Sequence, residues 1–190
     1  AGLDLLSVSA HKLGGPVGIG ALVVRRGVRL APTGFGGGQE ARLRSGTVPV
    51  ALAAGFAAAS RLAATRREAE AARLAALRDR LAAGVSVAVP GTLVNTRQPC
   101  GPTILNVTFP GVRADDVLLL LDAAGFDAST GSACTAGVHQ PSEVLLAMGR
   151  SLADASASLR FSFGPGTGEG DVLALLATLP GLVATARAAA

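Results

Sequence analysis

A single lysine stands among sixteen arginines in this chain of 190 residues. It is Lys12, in the stretch SVSAHKLGG (Ser7–Gly15), beside His11, one of two histidines. Arginine replaces lysine at most solvated positions, but a guanidinium cannot form an imine. Lys12 follows a short apolar run and is placed to be held partly desolvated, and desolvation favours the neutral amine that imine chemistry needs. The alternative is an ordinary surface lysine, which the rarity of lysine in this chain weakens. Ser9 and His11 flank Lys12, and a hydroxyl with an imidazole can bind an anionic group such as a phosphate. Without Lys12 they would read as a loop serine and a structural histidine.

Cys134 lies in STGSACTAG (Ser129–Gly137). Small polar residues and glycine allow such a loop to move and its thiol to be accessible, as suits a nucleophile that travels to a bound substrate. A thiol packed in a core would have apolar neighbours, and these are not core-like. Cys100, in the turn QPCGP, reads as incidental. Arg160 opens the alternation RFSF in a strand-like run, and two readings stand for it. Its planar fork can face a carboxylate, or it is an edge-strand arginine facing water. His139 and Glu143 are two residues and do not make a metal site. GGPVGIG (Gly14–Gly20) and GFGGG (Gly34–Gly38) lack the spacing of nucleotide-binding loops and read as turns.

The elements that must position these residues follow from pattern. Leu3–Val8 reads as a buried strand and Ile19–Val24 as a second. Leu30–Gly46 is a long glycine-rich loop, and such loops are more often functional than idle. Val48–Ala83 is a helix, with Pro49 in its first turn and Gly84 ending it. Strands are expected at Val85–Val89 and Thr103–Phe109, then a helix at Ala114–Ala124 with Asp115 and Asp116 in its first turn. A polar loop (Asp127–Val138), a short helix (Pro141–Met148), a strand (Leu159–Phe163) and an amphipathic helix (Glu169–Arg187) complete the order. The class is α/β or α+β, divided inside the long helix into 1–70 and 71–190.

Composition narrows the function classes. Hydrophobic residues make up 49% and charged residues 16%, which is globular rather than disordered. The net charge is +4, but the arginines are scattered and interleaved with Glu68, Glu70 and Asp79, and Tyr and Trp are absent. This is a solvated helix face, not a nucleic-acid surface. VLLLL (Val117–Leu121) is fenced by Asp116 and Asp122, so no stretch of membrane-spanning length is expected. Asp4 breaks the first apolar run, so no signal peptide is expected. Two cysteines do not make a disulfide scaffold, and a cytosolic protein with reduced thiols is expected. The chain starts without Met and is expected to be the tail of something longer.

Three stretches taken together resemble the NifS/IscS-like cysteine desulfurases, in the class V aminotransferase group of fold type I pyridoxal-phosphate enzymes. They are SAHKLGGPVGIGAL around Lys12, GGGQEARLRSGTVPV (Gly36–Val50) and STGSACTAGVHQPSEVLLAMG (Ser129–Gly149). LNVTF (Leu105–Phe109) and LRFSFGPGT (Leu159–Thr167) fit the same order. The Lys12 stretch is common to many pyridoxal-phosphate enzymes, while RSGT and GSACT together are much more specific. The resemblance implies the C-terminal half of such an enzyme: the end of the large α/β domain at 1–70 and a small α+β domain at 71–190 carrying a mobile cysteine loop. It implies pyridoxal 5'-phosphate as cofactor, bound covalently by Lys12, with Ser9 and His11 near its phosphate. Thr47 would reach the phosphate of a neighbouring subunit, hence a homodimer. Arg160 would hold the carboxylate of L-cysteine, and Cys134 would accept its sulfur as a persulfide, leaving L-alanine. The sulfur would pass to a scaffold or carrier protein for iron–sulfur assembly or thiolation. Two alternatives stay open. One is another fold type I enzyme, such as an aminotransferase or a selenocysteine lyase, which would not need Cys134. The other is a truncated chain acting only as an interaction module.

Overall fold

The computed structural model describes residues 2–32, 34–131 and 141–189. Cys134 and His139 lie outside the described residues. The chain divides into two compact units, Ala1–Glu68 and Ala69–Ala190. The helix α1 (Val50–Ala88) gives its first half to one and its second half to the other.

In the first unit, β1 (Leu5–Ser9) and β2 (Gly20–Val24) pair antiparallel, from Leu5↔Val24 to Ser9↔Gly20. A 3-10 turn at Ala10–Leu13 leaves β1. The buried strand expected here is instead open, with Leu5, Leu6, Leu22 and Val23 all exposed. A two-stranded ribbon has two faces, and among the described residues no third strand extends it. The end of the ribbon does pack. A Cβ on Gly15 would lie 3.1 Å from Ala59 Cβ, and a Cβ on Gly55 would lie 3.1 Å from Pro16 Cγ. Two glycines, one on each side, let α1 approach the turn after β1 closely.

In the second unit, β3 (Leu93–Val94), β4 (Ile104–Thr108) and β5 (Ser158–Ser162) form an antiparallel sheet in the order β3-β4-β5. One face is apolar. Leu105, Val107, Leu159 and Phe161 are buried on it, in one core with α2 (Ala114–Ala123) and α5 (Glu169–Ala188). Successive strand residues alternate faces, so Asn106, Thr108, Ser158 and Arg160 fall on the opposite, polar face. The helix α5 buries Val172, Leu175, Leu179, Val183 and Ala186, a stripe at helical spacing. It is long and apolar enough to cross a membrane by length and composition, contrary to the expectation that no stretch reaches that length. Its stripe lies in the core of this unit.

Two local expectations are corrected. Val85–Val89 is not a strand, because α1 runs on to Ala88. The buried positions Leu74, Arg78, Leu81, Val85 and Val89 recur every three or four residues, which is a helical face. Gly84 does not end the helix. A Cβ there would lie 2.5 Å from Leu176 Cδ1, so this glycine is where α1 and α5 come close. The short helix expected at Pro141–Met148 is α3 (Glu143–Ala147), while β3 and α4 (Leu152–Ser156) have no precedent in the pattern. The Ser151 hydroxyl caps α4, accepting from Asp154 N at 3.0 Å.

Candidate functional site

Ser9, His11 and Lys12 stand on one turn of the first unit. Ala10, between them, is fully buried and anchors it. Its N–H donates to Ile19 O at 3.0 Å, and Gly15 N–H donates to Ala10 O at 2.9 Å. Gly14, at φ 76°, closes the turn in the left-handed region that suits glycine. Ser9, at the start of the turn, makes no side-chain capping bond. The expectation that Lys12 is partly desolvated does not hold within this unit: Ser9, His11 and Lys12 are all exposed. The reason is local: α1 packs on the Gly15–Pro16 side of the turn, and of the residues from Ser9 to Lys12 only Ala10 is buried. No ion pair ties up the Lys12 amine among the described residues.

Thr47 is also exposed, on the loop before α1. That loop has its own frame. Gln39 Oε1 accepts from Gly46 N–H at 3.1 Å, and the Ser45 hydroxyl donates to Phe35 O at 3.2 Å. Glu40, Ala41 and Arg42 all have positive φ, at 49°, 55° and 65°. A run of three non-glycine residues in this region stores strain and occurs where surroundings impose it.

Arg160 lies at the middle of β5, in the second unit. It faces Asn106 of β4 in register, and Asn95 follows in the same row through the Asn95 N–H to Asn106 O bond at 2.9 Å. On its other side Arg160 pairs with Ser129. Arg160 N donates to Ser129 O at 2.7 Å, and Ser129 N donates to Arg160 O at 3.1 Å. The stretch that leads to Cys134 is therefore tied, five residues before the thiol, to the backbone of Arg160. The Arg160 Nε–H is buried without a hydrogen-bond partner among the described residues. Arg160 lines a cavity of about 530 Å³ with Asn95, Arg97, Cys100, Asn106 and Met148 among its other walls. A guanidinium on a cavity wall can meet a carboxylate ligand or water, and both readings of this arginine stand.

Sequence reasoning missed three features of this cavity. Cys100, read as incidental, is a half-buried free thiol on its wall. The loop that carries it is pinned by Arg78, only 3% exposed, whose Nη1 donates to Gly101 O at 2.7 Å while Nε donates to Asp79 Oδ1 at 2.8 Å. A buried arginine on an otherwise alanine- and leucine-rich helix face was the available signal. Asn95 and Asn106 were missed because their partnership exists only across strands. The far end of β5 is clamped too. Arg73 donates to Thr167 O at 2.6 Å and to both Glu70 oxygens, and the Glu70 hydrogen bond raises its pKa above the ordinary guanidinium value.

Residues 1–175 match the aminotransferase class-V family. The chain is 50% identical over 192 residues to an IscS-like cysteine desulfurase of Mycobacterium tuberculosis, covering 100% of this chain and 49% of that protein. Among solved structures it is similar to a NifS-like protein, with a TM-score of 0.83 and 30% identity over 97% of this chain and 47% of the other. It is also similar to SspA in complex with cysteine, with a TM-score of 0.62 and 34% identity over 86% of this chain and 44% of the other. The chain spans about half the length of the curated relatives it matches. Its mixed α/β fold is the fold of these structures.

Proposed function

The chain belongs to the aminotransferase class-V family, and we propose that it is part of a pyridoxal-phosphate-dependent cysteine desulfurase. The observation that carries this reading is the turn Ser9–Lys12: an amine free of ion pairs among the described residues, with a hydroxyl and an imidazole beside it, on a backbone held by hydrogen bonds at 3.0 and 2.9 Å. The 50% identity to a cysteine desulfurase supports it, as does the similarity to a protein solved with cysteine bound. The donor set fits pyridoxal 5'-phosphate, whose aldehyde needs a primary amine and whose phosphate needs donors. All three side chains are open to solvent in this chain, so the enclosure of the cofactor falls to the rest of a protein of the relatives' length.

Roles follow for named residues. Lys12 would hold the cofactor through its amine, and Ser9 and His11 would meet its phosphate. When bound, the cofactor supplies an electron sink for the substrate's Cα. Arg160 orients L-cysteine through its carboxylate. The Lys12 amine would move the proton at the substrate's Cα. The Cys134 thiolate would attack the substrate sulfur, the carbon–sulfur bond would break with its electron pair left on the carbon side, Cβ would take up a proton, and the products would be L-alanine and a persulfide on Cys134. Thr47, at the end of the strained loop, reaches the phosphate held by a second copy, which makes the protein a homodimer. The domains are 1–70, the cofactor-holding part, and 71–190, the part with the cysteine loop. The persulfide serves a sulfur-accepting scaffold or carrier protein, in the reducing cytoplasm where thiols persist.

The test is Cys134→Ala in the full-length protein. Alanine production from L-cysteine should be lost while L-cysteine still binds. Undiminished alanine production would instead favour another enzyme of the same fold, one that needs no acceptor thiol.

A further inference from the structure

The polar face of the second unit's sheet carries a hydrogen-bond chain whose direction is dictated from one end. Its members Asn95, Thr108 and Ser158 are each at most 1% exposed. The chain begins at a backbone carbonyl, which can only accept. The Ser158 hydroxyl donates to Asp154 O at 2.7 Å, which commits its one proton. Thr108 Oγ1 lies 2.7 Å from Ser158 Oγ, so the proton between them must come from Thr108. With its proton spent, Thr108 Oγ1 can only accept from Asn95, 2.8 Å away. The atom of Asn95 that points there is therefore Nδ2, a donor. Its second hydrogen goes to Asn106, 2.7 Å away, and the Asn106 atom that receives it must be Oδ1. With Ser158 donating to Asp154 O, this order orients the Asn106 amide, whose two ends are otherwise look-alike atoms, and it leaves Asn95 Oδ1 buried without a partner among the described residues. Its Oδ1 faces inward to Asn95, and its NH2 is the end left over.

That NH2 belongs to a residue that lines the cavity and is the in-register neighbour of Arg160. Side chains opposite one another on adjacent strands stand within reach of a common small ligand. Arg160 offers only donors, and the Asn106 NH2 offers only donors. Two adjacent donor-only groups, one of them a cation, match the two oxygens of a carboxylate.

We propose that Asn106 is a second binding residue for the substrate's α-carboxylate, working beside Arg160. This rests on the proposed role of Arg160. It adds to that role a neutral donor whose orientation is enforced by Asn95, Thr108 and Ser158. The deciding variant is Asn106→Asp in the full-length holoenzyme. It has the same shape and keeps an oxygen for Asn95 Nδ2, so the buried chain survives. The end of the side chain not bonded to Asn95 changes from donor to anion.

The expected result is a KM for L-cysteine raised roughly ten-fold or more, the loss of one hydrogen bond to a charged group. Because the lost contact is made before and during the reaction alike, kcat should stay within about two-fold. Inhibition by cysteamine, which has the amine and the thiol but no carboxylate, should be unchanged. If Asn106→Asp does not fold, Asn106→Ala decides by the same measurements. An unchanged KM for L-cysteine, or weakening of cysteamine in parallel with L-cysteine, overturns the inference. Arg160→Met separates the two levels. If it raises KM while Asn106→Asp does not, only Asn106 was misread. If neither variant raises KM, the carboxylate site is wrong and the inference falls with it.

Discussion

Replacing Arg160 by methionine should weaken the enzyme and stabilise the fold at once. The Nε–H of Arg160 is buried and has no acceptor, and a buried unsatisfied donor costs about 1–3 kcal/mol. Methionine is unbranched and of similar length, so it can fill the space of the arginine stem without that donor. The backbone bonds of residue 160 to Ser129, at 2.7 and 3.1 Å, do not depend on the side chain. Removing the orphaned group should therefore raise the melting temperature, by roughly 2–4 °C for each kcal/mol recovered in a chain of this size. The same change removes the proposed charged partner of the substrate carboxylate. At about 3 kcal/mol for a charge-assisted pair, the KM for L-cysteine should rise on the order of a hundred-fold. Thermal melting by circular dichroism and steady-state kinetics on the same preparation read both. An unchanged KM would refute the carboxylate role. A lower melting temperature would refute the view that the buried Nε–H of Arg160 is left without an acceptor.

Two further outcomes test the positioning elements. Gly15→Val should displace the Lys12 turn, because a Cβ there already meets Ala10 O at 3.0 Å and Ala59 Cβ at 3.1 Å; cofactor affinity, followed by its visible absorbance on titration, should fall roughly ten-fold or more, as backbone shifts of this kind typically cost 1–3 kcal/mol. Leu81→Ala, at a position 1% exposed in the core of the second unit, should destabilise by about 2–5 kcal/mol in urea unfolding.

Much of this molecule is legible along the chain because it is local. Lys12 stands out by rarity, and Ser9 and His11 by adjacency to it. The strands β1, β2, β4 and β5 and the helices α2 and α5 follow from short periodic runs closed by glycine or proline. Where the pattern misleads, a contact from elsewhere has intervened. Val85–Val89 looks like a strand by composition, yet its valines fall on a helical face that the core of the second unit buries. Gly84 looks like a helix end, yet it answers to Leu176, far along the sequence. Leu5 and Leu6 look buried, yet a strand's apolar run says only that a cover is wanted, not what supplies it.

The chemistry divides along the same line. The sequence by itself determined which groups can react: one amine able to form an imine, one thiol in a loop of small residues, one arginine in an apolar strand. Only the tertiary structure decided which groups surround that arginine. Asn106 becomes its neighbour through antiparallel register, and Ser129 through a bridge on the other side. The direction of the Asn106 amide is decided farther off still, by a proton that Ser158 must give to Asp154 O. Residue type is written locally, but hydrogen-bond direction is a property of a closed network, and this network joins residues up to 63 positions apart.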